Sequence, residues 1–105
     1  MRSKEDISRD IMQAGSRSDL ELIIKELNQW LKIEPDNILL LEQRAAIFEK
    51  LQQYGNAIND LKKIIEIAPD NKQATVKLEM LNTILRYKNT DIYASPNTNM
   101  DPWLE

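Results

Sequence analysis

The chain contains neither cysteine nor histidine, has only two glycines, and carries no extended run of basic or apolar residues. Each absence removes a class of function. Without cysteine there are no disulfides, thiolate metal sites or cysteine nucleophiles. Without histidine the usual general base, the commonest metal ligand and the main pH switch near neutrality are all missing. Gly15 and Gly55 stand alone and cannot form a loop that cradles phosphate. The longest basic run is Lys62-Lys63, and 14 basic against 17 acidic residues give a net charge of −3 and a pI near 5.0. A nucleic-acid surface needs the opposite balance. No segment approaches the roughly 18 consecutive apolar residues of a membrane span, and Met1-Arg2-Ser3-Lys4-Glu5-Asp6 lacks a signal-peptide core. The composition points to a soluble, cytoplasmic domain that binds no cofactor, metal, nucleic acid or membrane.

What the chain does contain is a repeat. Ile33-Glu34-Pro35-Asp36-Asn37 returns as Ile67-Ala68-Pro69-Asp70-Asn71, with the prolines 34 residues apart. Upstream, Leu20, Ile23, Ile24, Leu27, Trp30, Leu31 and Ile33 align in register with Tyr54, Ala57, Ile58, Leu61, Ile64, Ile65 and Ile67. An apolar string repeated at this period is the mark of a helical repeat array.

Apolar periodicity and cap residues predict five helices, near 4–15, 18–34, 37–54, 56–67 and 71–89. Ser3 with Asp6 and Ser18 with Glu21 have capping-box spacing. Asp36 or Asn37 is placed to cap the third helix, and Asn56 the fourth. Gly55 suits a left-handed position after the third helix. Leu40, Leu41, Ala45, Phe48 and Leu51 form one stripe of that helix, with Leu39, Ala46 and Ile47 beside it. Such girth predicts packing on two sides. Beyond Asn89 the composition turns polar, acidic and proline-containing, and residues 90–105 read as a tail.

Residues 38–71 resemble a tetratricopeptide repeat (TPR). The family pattern W-x2-L-G-x2-Y…A-x3-F…P falls on Leu41, Arg44, Ala45, Phe48, Ala57, Leu61 and Pro69. Ala45 and Ala57 take the small positions where the paired helices approach; Phe48 and Leu61 fill between them. Leu41 replaces the tryptophan and Arg44 a leucine, and Arg44 is expected to cover apolar surface with its stem while its charge stays in water. Residues 4–37 resemble a degenerate repeat, in which Asp10 and Ile11 replace the leucine–glycine pair. Residues 72–89 resemble the cap helix that ends such arrays, with Lys72, Lys77, Glu79, Asn82 and Arg86 for a polar outer side. The run Asn89-Thr90-Asp91-Ile92-Tyr93 is similar to the ending of short stand-alone bacterial TPR proteins. The resemblance implies an all-α superhelix of hairpins with a C-terminal cap helix, acting in protein binding and not in catalysis.

It also implies a concave groove lined by the first helix of each repeat. Here that groove presents Ser8, Met12, Leu39, Gln43, Ala46, Gln73, Lys77 and Met80, although some of these residues instead touch neighbouring helices or the tail in an alternative reading. Chaperone-adaptor TPRs hold a C-terminal carboxylate with lysines, asparagines and an arginine. The matching positions here, Ser8, Met12, Gln43, Gln73 and Lys77, offer one cation, too few to repay desolvation of a carboxylate. The expected partner is an unidentified protein or peptide. The alternative is a self-associating homodimer whose groove is covered by its own or a neighbour's tail, anchored by Tyr93 and Trp103.

Overall fold

The computed structural model describes the backbone of residues 2–94 and the side chains of residues 2–87. Five helices follow one another: α1 (Lys4–Ile11), α2 (Arg17–Ile33), α3 (Ile38–Lys50), α4 (Tyr54–Ile67) and α5 (Lys72–Ala94). Each packs antiparallel on its neighbour in sequence, α3 most extensively on α4, and there is no strand among the described residues. The architecture is the all-α stack of helical hairpins expected from the periodicity.

One core runs the length of the stack. α1 contributes Ile7; α2 contributes Leu20, Ile23, Leu27 and Leu31; α4 contributes Ala57, Ile58, Leu61 and Ile64; α5 contributes Ala74 and Leu81. In α3 the consecutive residues Leu40 and Leu41 are both buried, as are Ala45 and Ile47. Successive residues on a helix point about 100° apart, so burial of both shows α3 flanked on two sides. Leu39 and Ala46 do not share in this and are exposed. Fully burying a leucine or isoleucine is worth about 1.5–3 kcal/mol. Ala45 and Ala57, at 5% and 0% exposure, are small enough to leave the α3–α4 contact tight.

The repeated Pro-Asp-Asn has a specific mechanical role. The Glu34 N–H closes the last turn of α2 on the Trp30 carbonyl at 2.8 Å, the Asn37 N–H then donates to the Glu34 carbonyl at 3.2 Å, and Asn37 Oδ1 accepts the Leu40 N–H at 3.2 Å. One repeat later the same three bonds recur: Ala68 to Ile64 at 2.7 Å, Asn71 to Ala68 at 3.0 Å, and Ala74 to Asn71 Oδ1 at 3.0 Å. Proline presets the second position of a tight turn, and asparagine caps the helix that follows. The motif therefore reverses the chain in three residues without leaving helix-end groups unsatisfied.

Three local expectations are corrected. The cap of α2 is Ser16, whose Oγ accepts the Asp19 N–H at 3.1 Å, not Ser18. The same spacing from serine to a carboxylate, Ser16 to Asp19, occurs two residues earlier, and using it adds the Leu20-to-Ser16 backbone bond. The left-handed residue between α3 and α4 is Gln52, with φ 61°, not Gly55. The Gln53 N–H donates to the Phe48 carbonyl at 2.8 Å and the Gln52 N–H to Glu49 at 2.9 Å, the paired bonds of a Schellman ending. Gly55 and Asn56 consequently lie inside α4; the cap position is Gln53, with no side-chain cap bond, and Asn56 donates to Gln53 Oε1 at 3.1 Å. Finally, α5 continues past Asn89 to Ala94, since no helix breaker occurs before Pro96.

The displaced glycine gives a direct test. A non-glycine left-handed residue costs roughly 1–2 kcal/mol, and a glycine in a helix costs about 1 kcal/mol relative to alanine. A Cβ added at Gly55 meets nothing within 4 Å. Combining Gln52→Gly with Gly55→Ala is expected to raise stability by about 0.5–1.5 kcal/mol, read from the midpoint of denaturant unfolding. A destabilised double variant would refute this assignment of the α3–α4 turn.

Candidate functional site

Polar contacts join the first helices of the hairpins along one face. Gln43 Nε2 of α3 donates to Ser8 Oγ of α1 at 2.6 Å, and Lys77 Nζ of α5 lies 3.2 Å from Glu49 Oε2 of α3. These contacts set α1, α3 and α5 side by side. Two of the residues expected to line a groove, Ser8 and Gln43, thus use their polar groups on each other, and Gln43 Oε1 is buried with no partner among the described residues.

Three others, Ala46, Gln73 and Lys77, come together around a hollow of about 180 Å³ between α3 and α5. Its walls are largely apolar, from Ala45, Ala46, Leu61 and Ala74, with Glu42 and Glu49 along the α3 side. The remaining residues expected to line a groove are open to solvent: Met12, at the C-terminal cap of α1, is 88% exposed, Leu39 58% and Met80 43%. None of these three lines the hollow. Tyr93 falls on α5 beyond the described side chains, and Trp103 lies outside the described residues. Among the described residues no cluster of three carboxylates gathers in metal-binding geometry, and no helix is long and apolar enough to cross a membrane.

Behind this face sits a charged node. Arg44 of α3 donates from Nε to Asp60 Oδ2 at 2.9 Å and from Nη2 to Asp60 Oδ1 at 2.6 Å, while Nη1 reaches Asn28 Oδ1 of α2 at 2.8 Å. Its guanidinium also lies 5.8 Å from the Phe48 ring. Asp60 is 4% exposed. The expectation that Arg44 keeps its charge in water is therefore wrong: the charge is spent on a buried carboxylate in the next helix. A planar fork matching two carboxylate oxygens is what arginine supplies and leucine cannot. The signal was present in the sequence, because Asp60 falls within the Ala57, Leu61, Ile64 stripe while Arg44 occupies an apolar position on the helix it packs against.

A second polar clasp ties the N-terminus to α2. Arg2 bonds both Asp10 and Glu26, the latter from Nε and Nη2 at 2.6 and 2.7 Å. Trp30 Nε1 donates to the Arg2 carbonyl at 2.8 Å. Lys4 lies 2.9 Å from Glu34 and 5.3 Å from the centre of the Trp30 ring. Asp10, at the position where the repeat pattern has leucine, is thus explained by Arg2. The Asn37 amide, followed by Lys4, holds the Glu34 carboxyl below its usual range. Arg9, followed by the Ser3 hydroxyl, does the same for Asp6.

No family model matches the chain, and no solved structure matches it. Over 49 residues, 47% of its length, the chain is 41% identical to human Tetratricopeptide repeat protein 13, of which this stretch is 6%. The chain thus spans a small fraction of that relative, and the likeness is one of local repeat sequence. Joined to the stacked hairpins and the 34-residue period, it suggests a TPR-like relation for this all-α helical domain.

Two measurements test this site. Arg44→Leu restores the residue type of the repeat pattern, yet it is expected to cost about 3–5 kcal/mol, because it strands a buried carboxylate. Adding Asp60→Leu should recover most of that loss, since an apolar pair of similar volume is often neutral to stabilising. If the single variant unfolds like the parent, the pair is not buried. For Glu34, whose folded pKa is depressed, the contribution to stability is present above the ordinary glutamate value of about 4.3 and lost as pH falls through the folded value. Asn37→Ser keeps a helix cap but removes the amide donor. It should move the Glu34 titration midpoint, followed by carboxyl NMR, up toward the ordinary value; an unmoved midpoint would exclude the Asn37 amide as the cause.

Proposed function

We propose that this domain is a non-catalytic protein-interaction module that receives a peptide or protein surface along the face formed by α1, α3 and α5. The observation that carries the reading is the apolar hollow between α3 and α5, on a face that also exposes Leu39 and Met80. Isolated exposed apolar residues are ordinary, but an apolar depression beside them on one continuous helical face is what an anchored partner needs. The groove comprises Ser8, Met12, Leu39, Gln43, Ala46, Gln73, Lys77 and Met80. Ser8 and Gln43 serve as its fixed floor, since they are bonded to each other.

Its lone cation, Lys77, is paired with Glu49. That pairing counts against a clamp for a chaperone's C-terminal carboxylate, and the acidic balance of the chain disfavours nucleic acid. Self-association is the second reading. It is favoured by large apolar side chains exposed away from the hollow, among them Leu22, Ile33, Val76 and Tyr87. In that reading a homodimer covers the groove with residues 92–104, through Tyr93 and Trp103.

Peptides selected by display against the intact chain are expected to bind with micromolar affinity and to lose about tenfold or more on Ala46→Trp, a loss of at least ~1.4 kcal/mol. Ala46 is exposed, so the indole fills the hollow without disturbing the core, and unchanged helicity is the control. Affinity indifferent to Ala46→Trp would overturn the groove reading. A mass twice that of one chain by light scattering, reduced to one on deleting residues 92–105, would favour the second reading.

A further inference from the structure

We infer that the hollow between α3 and α5 takes the side chain of a lysine or arginine presented by a partner protein, with Glu42 as its counter-charge. The inference rests on the groove reading and specifies what the groove prefers. At about 180 Å³ the hollow is smaller than the roughly 300–1,000 Å³ of small-molecule sites, and suits one side chain. Its walls of Ala45, Ala46, Leu61 and Ala74 match the aliphatic stem of a long basic residue, which carries apolar length and a charged end together.

The charge at the end of that stem is specified by the rim. Three charged residues line the hollow: Glu42, Glu49 and Lys77. Lys77 is committed to Glu49 at 3.2 Å. Glu42 is half-buried and has neither an ion pair nor a hydrogen bond among the described residues. A carboxylate partly withdrawn from water gains from a cation that brings its own donors. The rim therefore carries one uncompensated negative charge, directly beside the apolar walls. An acidic or purely aliphatic occupant would leave that charge repelled or more deeply desolvated. Residues 89–105 cannot provide the cation, because they contain no lysine or arginine and do contain Asp91, Asp101 and Glu105. The occupant we assign is therefore a basic side chain of a partner and not any of residues 89–105.

The test uses a blocked peptide of serine, glycine and leucine with arginine, norleucine or glutamate at its centre, titrated into the full chain and followed by amide NMR shifts. The arginine peptide is expected to shift amides around Glu42–Glu49 and Gln73–Lys77, and the norleucine and glutamate peptides to leave them in place. Glu42→Gln should weaken the arginine peptide by about tenfold or more, and raising the salt should weaken it in the parent but little in the variant. Equal shifts from norleucine or glutamate, or an affinity unchanged by Glu42→Gln, would overturn the cation assignment and leave the groove reading standing. Silence with all three peptides while the display-selected peptides still bind at the Ala46-sensitive site would do the same. Silence of both would remove the groove reading as well. Concentration-dependent shifts of the same amides without any peptide would assign the hollow to a second copy of the chain and overturn the partner assignment.

Discussion

The stack depends on α3 having two buried sides. Its consecutive leucines, Leu40 and Leu41, leave water together, and α2 packs on one flank while α4 packs on the other. In a stack where each helix contacts mainly its neighbours in sequence, the central helix is the element through which both ends are stabilised. The small residues Ala45 and Ala57 bring α3 and α4 close, and the Arg44–Asp60 pair forms across that same contact. Because Arg44 also reaches Asn28, one side chain ties three successive helices. Such a pair adds little net stability compared with a well-packed apolar pair, but it penalises any arrangement that leaves Asp60 buried alone.

The same helix also shapes the face proposed for interaction. With its buried positions committed to α2 and α4, α3 turns Leu39 and Ala46 outward and carries Glu42 and Glu49 along the hollow. Ser8–Gln43 and Glu49–Lys77 then fix α1 and α5 on either side of it. These two contacts differ in character. The first is a short neutral hydrogen bond with an unpaired carbonyl oxygen beside it. The second is a partly exposed ion pair, which is individually weak and so leaves the α3–α5 side of the face the more adaptable.

Much of the architecture is legible in the sequence. The 34-residue period, the apolar stripes of α2 and α4 and the Pro-Asp-Asn turns gave five helices in the order observed, because a turn that presets proline and caps with asparagine acts within a few residues. Local signals misled where two candidates competed for one role. Ser16 and Ser18 both had capping spacing, and the glycine at 55 looked like a helix stop although Gln52 takes that conformation. Of the residues expected to line a groove, Ala46, Gln73 and Lys77 surround one hollow. Ser8 and Gln43 turned out to be occupied with each other, a contact between residues 35 apart that no local pattern encodes.

The sequence by itself determined where the helices lie, which side of each is apolar, and that the chain has no histidine or cysteine chemistry. These follow from composition and from periodicities within a single turn or two of helix. Only the tertiary structure decided what the charges do. Whether Arg44 faces water or Asp60, whether Lys77 is free or held by Glu49, and whether Glu42 finds a partner among the described residues beside the apolar hollow are all set by which helix lies opposite. Coulombic and hydrogen-bond energies fall off steeply with distance and with hydration, so a charged residue takes its role from neighbours that only folding supplies.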